Sequence, residues 1–263
     1  MRIALTKEES GICACAQRNS AEMEKKMEWK KRSRTYSGTT DESPSERELA
    51  NRRIARKAAA EGMVLLKNEG ILPLKEGAKT ALFGSGAVQM IKGGTGSGDV
   101  NQREVVEIWQ GFKDAGIALT NRDWLEEYDR TCRKAREDWR QGILEEVERT
   151  GKHFFEVYSG HVYRTPAGIP MKEAEIREAD VVFYVISRTA GEAADRFIAP
   201  GDYYLTESEK EELAFLDRHS ESLAVILNTG GAMELAEILN LSHLKGLICS
   251  SQPGMEGGHA LAD

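Results

Sequence analysis

"DVVFYVIS", residues 180–187, sets six consecutive apolar side chains between an aspartate and a serine. Four of the six are Val or Ile and the other two are aromatic. The run is too short for an independent helix and far too short to span a bilayer. It shows no alternation of apolar and polar residues, so both of its faces are expected to be buried, as in an inner strand of a parallel sheet. Similar segments lie on either side. "KTALFGSGA" (79–87) reads as a short buried strand running into a glycine turn, and "GIALT" (116–120), "SLAVILN" (222–228) and "KGLICS" (245–250) as further strands. "GMVLLKNEGILPL" (62–74) reads as extended chain.

Helical signals fill the gaps. Ser45 with Glu48, and Thr206 with Glu209, have capping-box spacing. Asn101 and Glu104 mark a start after which Val105, Trp109 and Phe112 share a face. Trp124, Tyr128, Cys132, Ala135, Trp139, Ile143 and Val147 recur every three or four residues; this stripe is expected to be packing surface. "AMELAEIL" (232–239) reads as another helix, and "QPGMEGGHALAD" (252–263) turns into one more. Strands alternating with helices predict an α/β fold, a mostly parallel sheet sandwiched by helices. Residues 1–44 are expected to form a weakly structured arm. Residues 45–263 are expected to form the α/β domain, with a helical insertion near 121–175 and an incomplete C-terminus. Ligands of such sheets meet the loops beyond the carboxyl ends of the strands. Those loops are 84–101, 188–205, 228–231 and 251–258.

Composition narrows the function. Lys and Arg number 36 against 43 Asp and Glu, a net charge of −7, which disfavours nucleic acid as a partner. The basic stretch "EKKMEWKKRSR" (24–34) is read as a solvated arm. Cys13, Cys15, Cys132 and Cys249 have no zinc-finger spacing and are read as free thiols in a reducing compartment. The N-terminal apolar stretch is too short for a signal-peptide core, and no membrane span is expected, so the localisation expected is cytoplasmic.

The motifs exclude more than they assign. "GSGAVQ" starts like a dinucleotide fingerprint, but Gln89 stands where the third glycine belongs, and "GGTGSGD" lacks the Lys-Ser/Thr pair of a phosphate loop. The five histidines form no i, i+4 pair with an acidic partner, so neither metal nor cofactor is expected. G-x-S-x-G would need serine at Gly96. The long loop "RTAGEAADRFIAPGDYYL" (188–205) carries Glu192 among small neighbours that leave room for a bulky polar ligand, and Asp195 is close enough in sequence to pair with Arg196. Spacing alone gives Glu192 no role, and composition favours a surface acid.

Read in order, "AAAEGMVLLKNEGILPL", "ALFGSGA", "KGGTGSGDVN", "VISRTAGEAADR", "GDYYLTESEKEEL", "VILNTGGAMEL" and "SQPGMEGGHALAD" resemble the second, α/β sandwich domain of family 3 glycoside hydrolases, of which β-glucosidases are the best known members. The resemblance runs from about residue 46 to the end and is interrupted mainly at 121–175. It implies part of a retaining β-glycosidase acting on a β-glucoside or short oligosaccharide. Glu192 would be the acid/base, and Gly96, Ser97 and Gly98 would line the sugar. The nucleophile would come from a (β/α)8 barrel that these 263 residues do not contain, in an arrangement resembling reversed domain order. The chain alone is then expected to be inactive, and a homo-oligomer is left open. The residues themselves also permit a non-catalytic module that binds carbohydrate or a partner domain.

Overall fold

A computed structural model describes residues 41–94, 100, 102–161, 163, 165–189 and 196–263. The chain divides into two units, Met1–Leu49 with Asn101–Arg103, and Ala50–Val100 with Glu104–Asp263. In the smaller unit the Ser45 N–H donates to Glu48 Oε2 at 2.8 Å and the Glu48 N–H to Ser45 Oγ at 3.3 Å, the reciprocal pair of a capping box. Arg103 pairs with the same carboxylate at 2.9 Å.

The larger unit is built on one six-stranded sheet. Its strands are β1 (Val64–Asn68), β2 (Lys79–Phe83), β3 (Ala118–Leu119), β4 (Val181–Arg188), β5 (Leu223–Thr229) and β6 (Leu244–Cys249), in the spatial order β1-β6-β5-β4-β2-β3. Every pair is parallel except β1 with β6. The α/β expectation is met. β4 and β5 run through the middle and are buried almost without interruption, as their unbroken Val/Ile/Leu content requires. The edge strand β1 is antiparallel and largely exposed.

Among the described residues the helices are α1 (Glu46–Gly62), α2 (Ser85–Val88), α3 (Ile108–Asp114), α4 (Arg122–Thr150), α5 (Phe154–Gly160), α6 (Glu173–Arg177), α7 (Glu207–His219), α8 (Ala236–Leu239) and α9 (Gly257–Ala262). The aromatic stripe of α4 is packing surface, with Trp124 edge-on to Phe83 at 4.9 Å between ring centres. The polar tips of the same stripe hold the irregular chain that follows. Trp139 Nε1 donates to the His161 carbonyl at 3.0 Å, the Tyr128 hydroxyl to the Pro166 carbonyl at 2.8 Å, and Trp124 Nε1 to the Ile169 carbonyl at 3.0 Å. His161, Pro166 and Ile169 thus lie along α4 in reverse order, each aromatic donating to a backbone carbonyl.

Two helix starts differ from expectation. The helix expected from Asn101 begins at Ile108. Val106 is instead bonded to a distant segment: its N–H donates to the Met255 carbonyl at 2.9 Å and its carbonyl accepts the Gly258 N–H at 3.0 Å. The helix expected over 232–239 is confined to Ala236–Leu239, because the Glu234 N–H donates to the Tyr203 carbonyl at 2.9 Å.

Candidate active site

The strand order marks out a candidate region. From β2 the chain crosses to β3 on one side, and from β4 it crosses to β5 on the other. This reversal is a topological switch point, where the loops leaving adjacent strands diverge and open a crevice. The two loops that diverge here are those after β2 and β4, the ones that carry the glycine-rich stretch and Glu192. Glu192, Gly96, Ser97 and Gly98 themselves lie outside the described residues, as do Asp195, Cys13 and Cys15.

Three strand ends underlie these loops. β2 and β4 pair up to Phe83 opposite Tyr184, and Gly84 then turns with φ 88°. A Cβ at Gly84 would lie 2.4 Å from the Val185 carbonyl oxygen, so only glycine fits both this approach and this backbone. Asn228, at the end of β5, has no exposed surface. Its Oδ1 accepts the Ile91 N–H at 2.6 Å and the Ser187 hydroxyl at 2.7 Å. Its Nδ2 donates to the carbonyls of Ile91 at 2.9 Å and Ser251 at 2.7 Å. One side-chain amide therefore ties together the loops after β2 and β6 and the end of β4, with its donors and acceptor all used.

Arginines flank residues 189–195 of the loop after β4. Arg188, buried at the end of that strand, forms a two-pronged ion pair with Glu209, 2.7 Å in each prong, and donates to the Asp202 carbonyl at 3.0 Å. Glu209 also closes the Thr206 capping box of α7, so the loop is fixed to a helix start. At the far end Arg196 Nε meets Asp202 Oδ1 at 2.5 Å, its Nη2 the Asp202 carbonyl at 2.8 Å, and its Nη1 the Ala232 carbonyl at 2.7 Å. Asp202 Oδ2 accepts the Phe197 N–H at 2.5 Å. Burial works to raise the Asp202 pKa, but the Phe197 N–H and Arg196 outweigh it and hold the carboxyl below its ordinary value. Arg196 is thus engaged by Asp202.

Two further acidic groups stand near this edge. Glu107, just before α3, accepts the Met90 N–H at 2.6 Å. Burial pushes its pKa up to about 7 in spite of that bond, and the nearby Asp129 adds to the rise. Glu256, almost fully buried, is paired with Arg52 and with His259 Nδ1, the latter at 2.8 Å. His259 Nε2 reaches Asp114 at 3.0 Å. Burial opposes the charge on His259, yet Glu256 and Asp114 together raise its pKa. A hollow of about 220 Å³ lined by Met171, Glu211, Glu212 and Phe215 belongs to the flank of α7, not to the strand-end loops. Among the described residues no His, Cys, Asp and Glu cluster could hold a metal ion, and no helix is long and apolar enough to cross a membrane. Asn228, Arg188, Asp202 and Glu107 were not singled out by sequence reasoning. The available signal was the position of Arg188 and Asn228 at the ends of predicted buried strands, where a polar side chain needs a partner.

Comparison with known proteins agrees with this geometry. Residues 63–263 match the model of the glycosyl hydrolase family 3 C-terminal domain. The chain is 28% identical over 239 residues to beta-glucosidase A of Butyrivibrio fibrisolvens, covering 78% of this chain and 26% of that one. It is 30% identical over 213 residues to a beta-glucosidase of Ruminococcus albus, covering 79% and 21%. It therefore spans about a quarter of the length of these relatives or less. Among solved structures it resembles beta-glucosidase 3B of Thermotoga neapolitana, with 32% identity, a TM-score of 0.62 and coverage of 84% of this chain and 29% of that one. A beta-glucosidase of Paenibacillus barengoltzii is similar at 28% identity and a TM-score of 0.64, with coverage of 84% and 23%. The strand-end loops, the switch point and the match over 63–263 converge, and the chain belongs to glycosyl hydrolase family 3 through that family's C-terminal domain.

Proposed function

We propose that this chain is the acid/base-bearing domain of a retaining β-glycosidase, β-glucosidase-like, that hydrolyses terminal β-glucosidic bonds. Glu192 protonates the leaving oxygen as the bond to the anomeric carbon breaks, then takes a proton from the water that releases the glycosyl intermediate. The nucleophilic carboxylate comes from a (β/α)8 barrel domain, and Gly96, Ser97 and Gly98 line the sugar. The observation that carries this reading is the switch point between β2 and β4, from which both loops arise in a family 3 domain. In a retaining enzyme the two carboxyl groups lie about 5–5.5 Å apart. Burial at a domain seam, with the nucleophile's charge nearby, keeps such an acid protonated when substrate binds.

The test is leaving-group dependence in the polypeptide that joins this domain to its barrel. Glu192→Gln should slow alkyl β-glucosides by at least about a hundredfold. It should slow the first, glycosyl-transfer step of a 2,4-dinitrophenyl β-glucoside far less, because that leaving group needs no proton. Equal loss on both substrates would remove the acid role. The 263-residue chain alone should not turn over either substrate.

A further inference from the structure

Helix α1 is held to the domain by charge. Over its 17 residues it buries no side chain, whereas the shorter α3 buries Ile108 and Phe112, and α7 buries Leu213 and Leu216. Its half-buried positions from Arg52 onward are Arg52, Ala55, Arg56, Ala59 and Ala60. Alanines offer little apolar area, so the two arginines dominate the attachment. Arg52 Nε pairs with Glu256 Oε1, and its Nη1 with Glu104 Oε2 at 3.3 Å. Arg56 grips Asp263 with two donors, at 2.6 and 2.5 Å.

Glu256, just before α9, serves two cations at once. Its Oε1 takes Arg52 and its Oε2 meets His259 Nδ1 at 2.8 Å, with the residue almost fully buried. If Arg52 leaves while His259 is neutral, a buried carboxylate is stripped of its arginine and the penalty is heavy. If His259 is protonated, Glu256 keeps a charged partner and the penalty falls. The other charges around the ring act in the same sense or stay in place. Arg56 on α1 opposes a charge on His259, so its departure favours protonation. Asp263, freed of Arg56, adds an anion on the same helix. Asp114 on α3, 3.0 Å from His259 Nε2 and influenced by Lys113, remains in both states. Glu104 loses Arg52 into solvent, being itself exposed. We propose that α1 is a releasable strap: protonation of His259 lets residues 50–62 come away from α9 while the sheet stays folded, which makes Glu256 the seat of a pH-gated latch.

Hydrogen exchange of the 263-residue chain reads this release, because a short helix freed of its partner is marginal in water and gives up its amides. With rates corrected for the intrinsic pH dependence of exchange, amides of residues 50–62 should be less protected than those of β4 and β5 at pH 8. They should lose about a further tenfold in protection by pH 5.5, the factor that reciprocity attaches to about a tenfold gain in the proton affinity of His259 on release. The extra loss should vanish in His259→Gln. Glu107 titrates in the same range, but its effect persists in that variant and is thereby separated. A second measurement leaves His259 intact: the ring pKa, followed by NMR, should be higher in Arg56→Gln than in the unaltered chain. Equal protection of α1 and the inner strands overturns the proposal, since α1 would then open only with the whole domain. So does a pH-dependent loss at 50–62 that survives in His259→Gln, or a ring pKa that is unchanged or lower in Arg56→Gln.

Discussion

Replacing Glu107 by glutamine isolates the cost of one buried charge. Glu107 and Met90 bracket the glycine-rich stretch, and their bond, 2.6 Å from the Met90 N–H to Oε2, joins its two ends. Burial raises the Glu107 pKa from 4.5 to about 7, with Asp129 adding to the rise while the Met90 N–H, Arg133 and Arg136 oppose it. The folded state therefore holds this proton more tightly than the unfolded chain. Between pH 4.5 and 7 folding takes up a proton, so stability falls as pH rises across that window. Above pH 7 the penalty is complete, about 3 kcal/mol from 1.36 kcal/mol per pH unit. Glutamine keeps an acceptor for the Met90 N–H and carries no charge. Urea unfolding of Glu107→Gln and the unaltered chain should give curves within about 1 kcal/mol of each other at pH 5 and separated by about 3 kcal/mol at pH 8.5, the variant being more stable. Comparing the two proteins at each pH cancels every other titrating group. A constant difference across the range, or a variant less stable at pH 8.5, would refute the argument, because either would mean that hydrogen bonding or packing, not ionisation, dominates at this residue.

Three other outcomes follow from the same contacts. Asn228→Ala leaves Ile91 and Ser251 without their side-chain partner and should cost about 3 kcal/mol in urea unfolding, with faster hydrogen exchange at the Ile91 amide than at amides in the middle of β5. The raised pKa of His259 stabilises the fold fully below about pH 6.5, and that contribution is lost as pH rises through the folded value; His259→Gln should flatten this part of the stability profile, measured by thermal unfolding between pH 5.5 and 8.5. A Cβ at Gly111 would fall 2.0 Å from the Gly258 carbonyl oxygen, so Gly111→Ala should cost more than about 3 kcal/mol, whereas Gly142→Ala, with nothing within 4 Å and within helix α4, should stabilise by about 1 kcal/mol.

The layers of the fold were legible wherever the deciding interaction is local. Six apolar residues in a row allow little but an inner strand, and Val181–Ile186 are that strand. Thr206 and Glu209 announce a helix start because each caps the other within one turn, and both halves of the box are present. What was not legible depends on partners far along the chain. Val106 gives its backbone bonds to Met255 and Gly258, so α3 starts later than its cap signals suggest. Arg196 had a nearby acidic residue in Asp195, but Asp202 also engages its neighbour's N–H and so organises a whole turn. Asn228 reads in sequence as the last residue of a strand, and only the parallel order of β2, β4 and β5 brings Ile91 to it across 137 positions. The proposal of Glu192 as the acid rests on the ordered family blocks around it, since a single carboxylate among small residues carries no spacing signal.

This division between local and distant determinants bears on how the proposed acid would work. A proton donor that must later act as a base needs its position fixed more closely than its surroundings need to be dry, because a displacement of about 1 Å can cost a hundredfold. The loop after β4 obtains its fixed points from Arg188 with Glu209 at one end and Arg196 with Asp202 at the other, eight residues apart in sequence. Both arginines use several donors on planar or backbone acceptors, which restricts rotation as well as distance. Lysine at either position would keep the charge and lose the fork. If the fixed ends are what positions Glu192, Arg196→Lys in the barrel-containing enzyme should lower kcat for poor leaving groups while the fold's urea midpoint barely moves. If the arginines serve stability alone, the midpoint should fall and the leaving-group dependence should stay as it was.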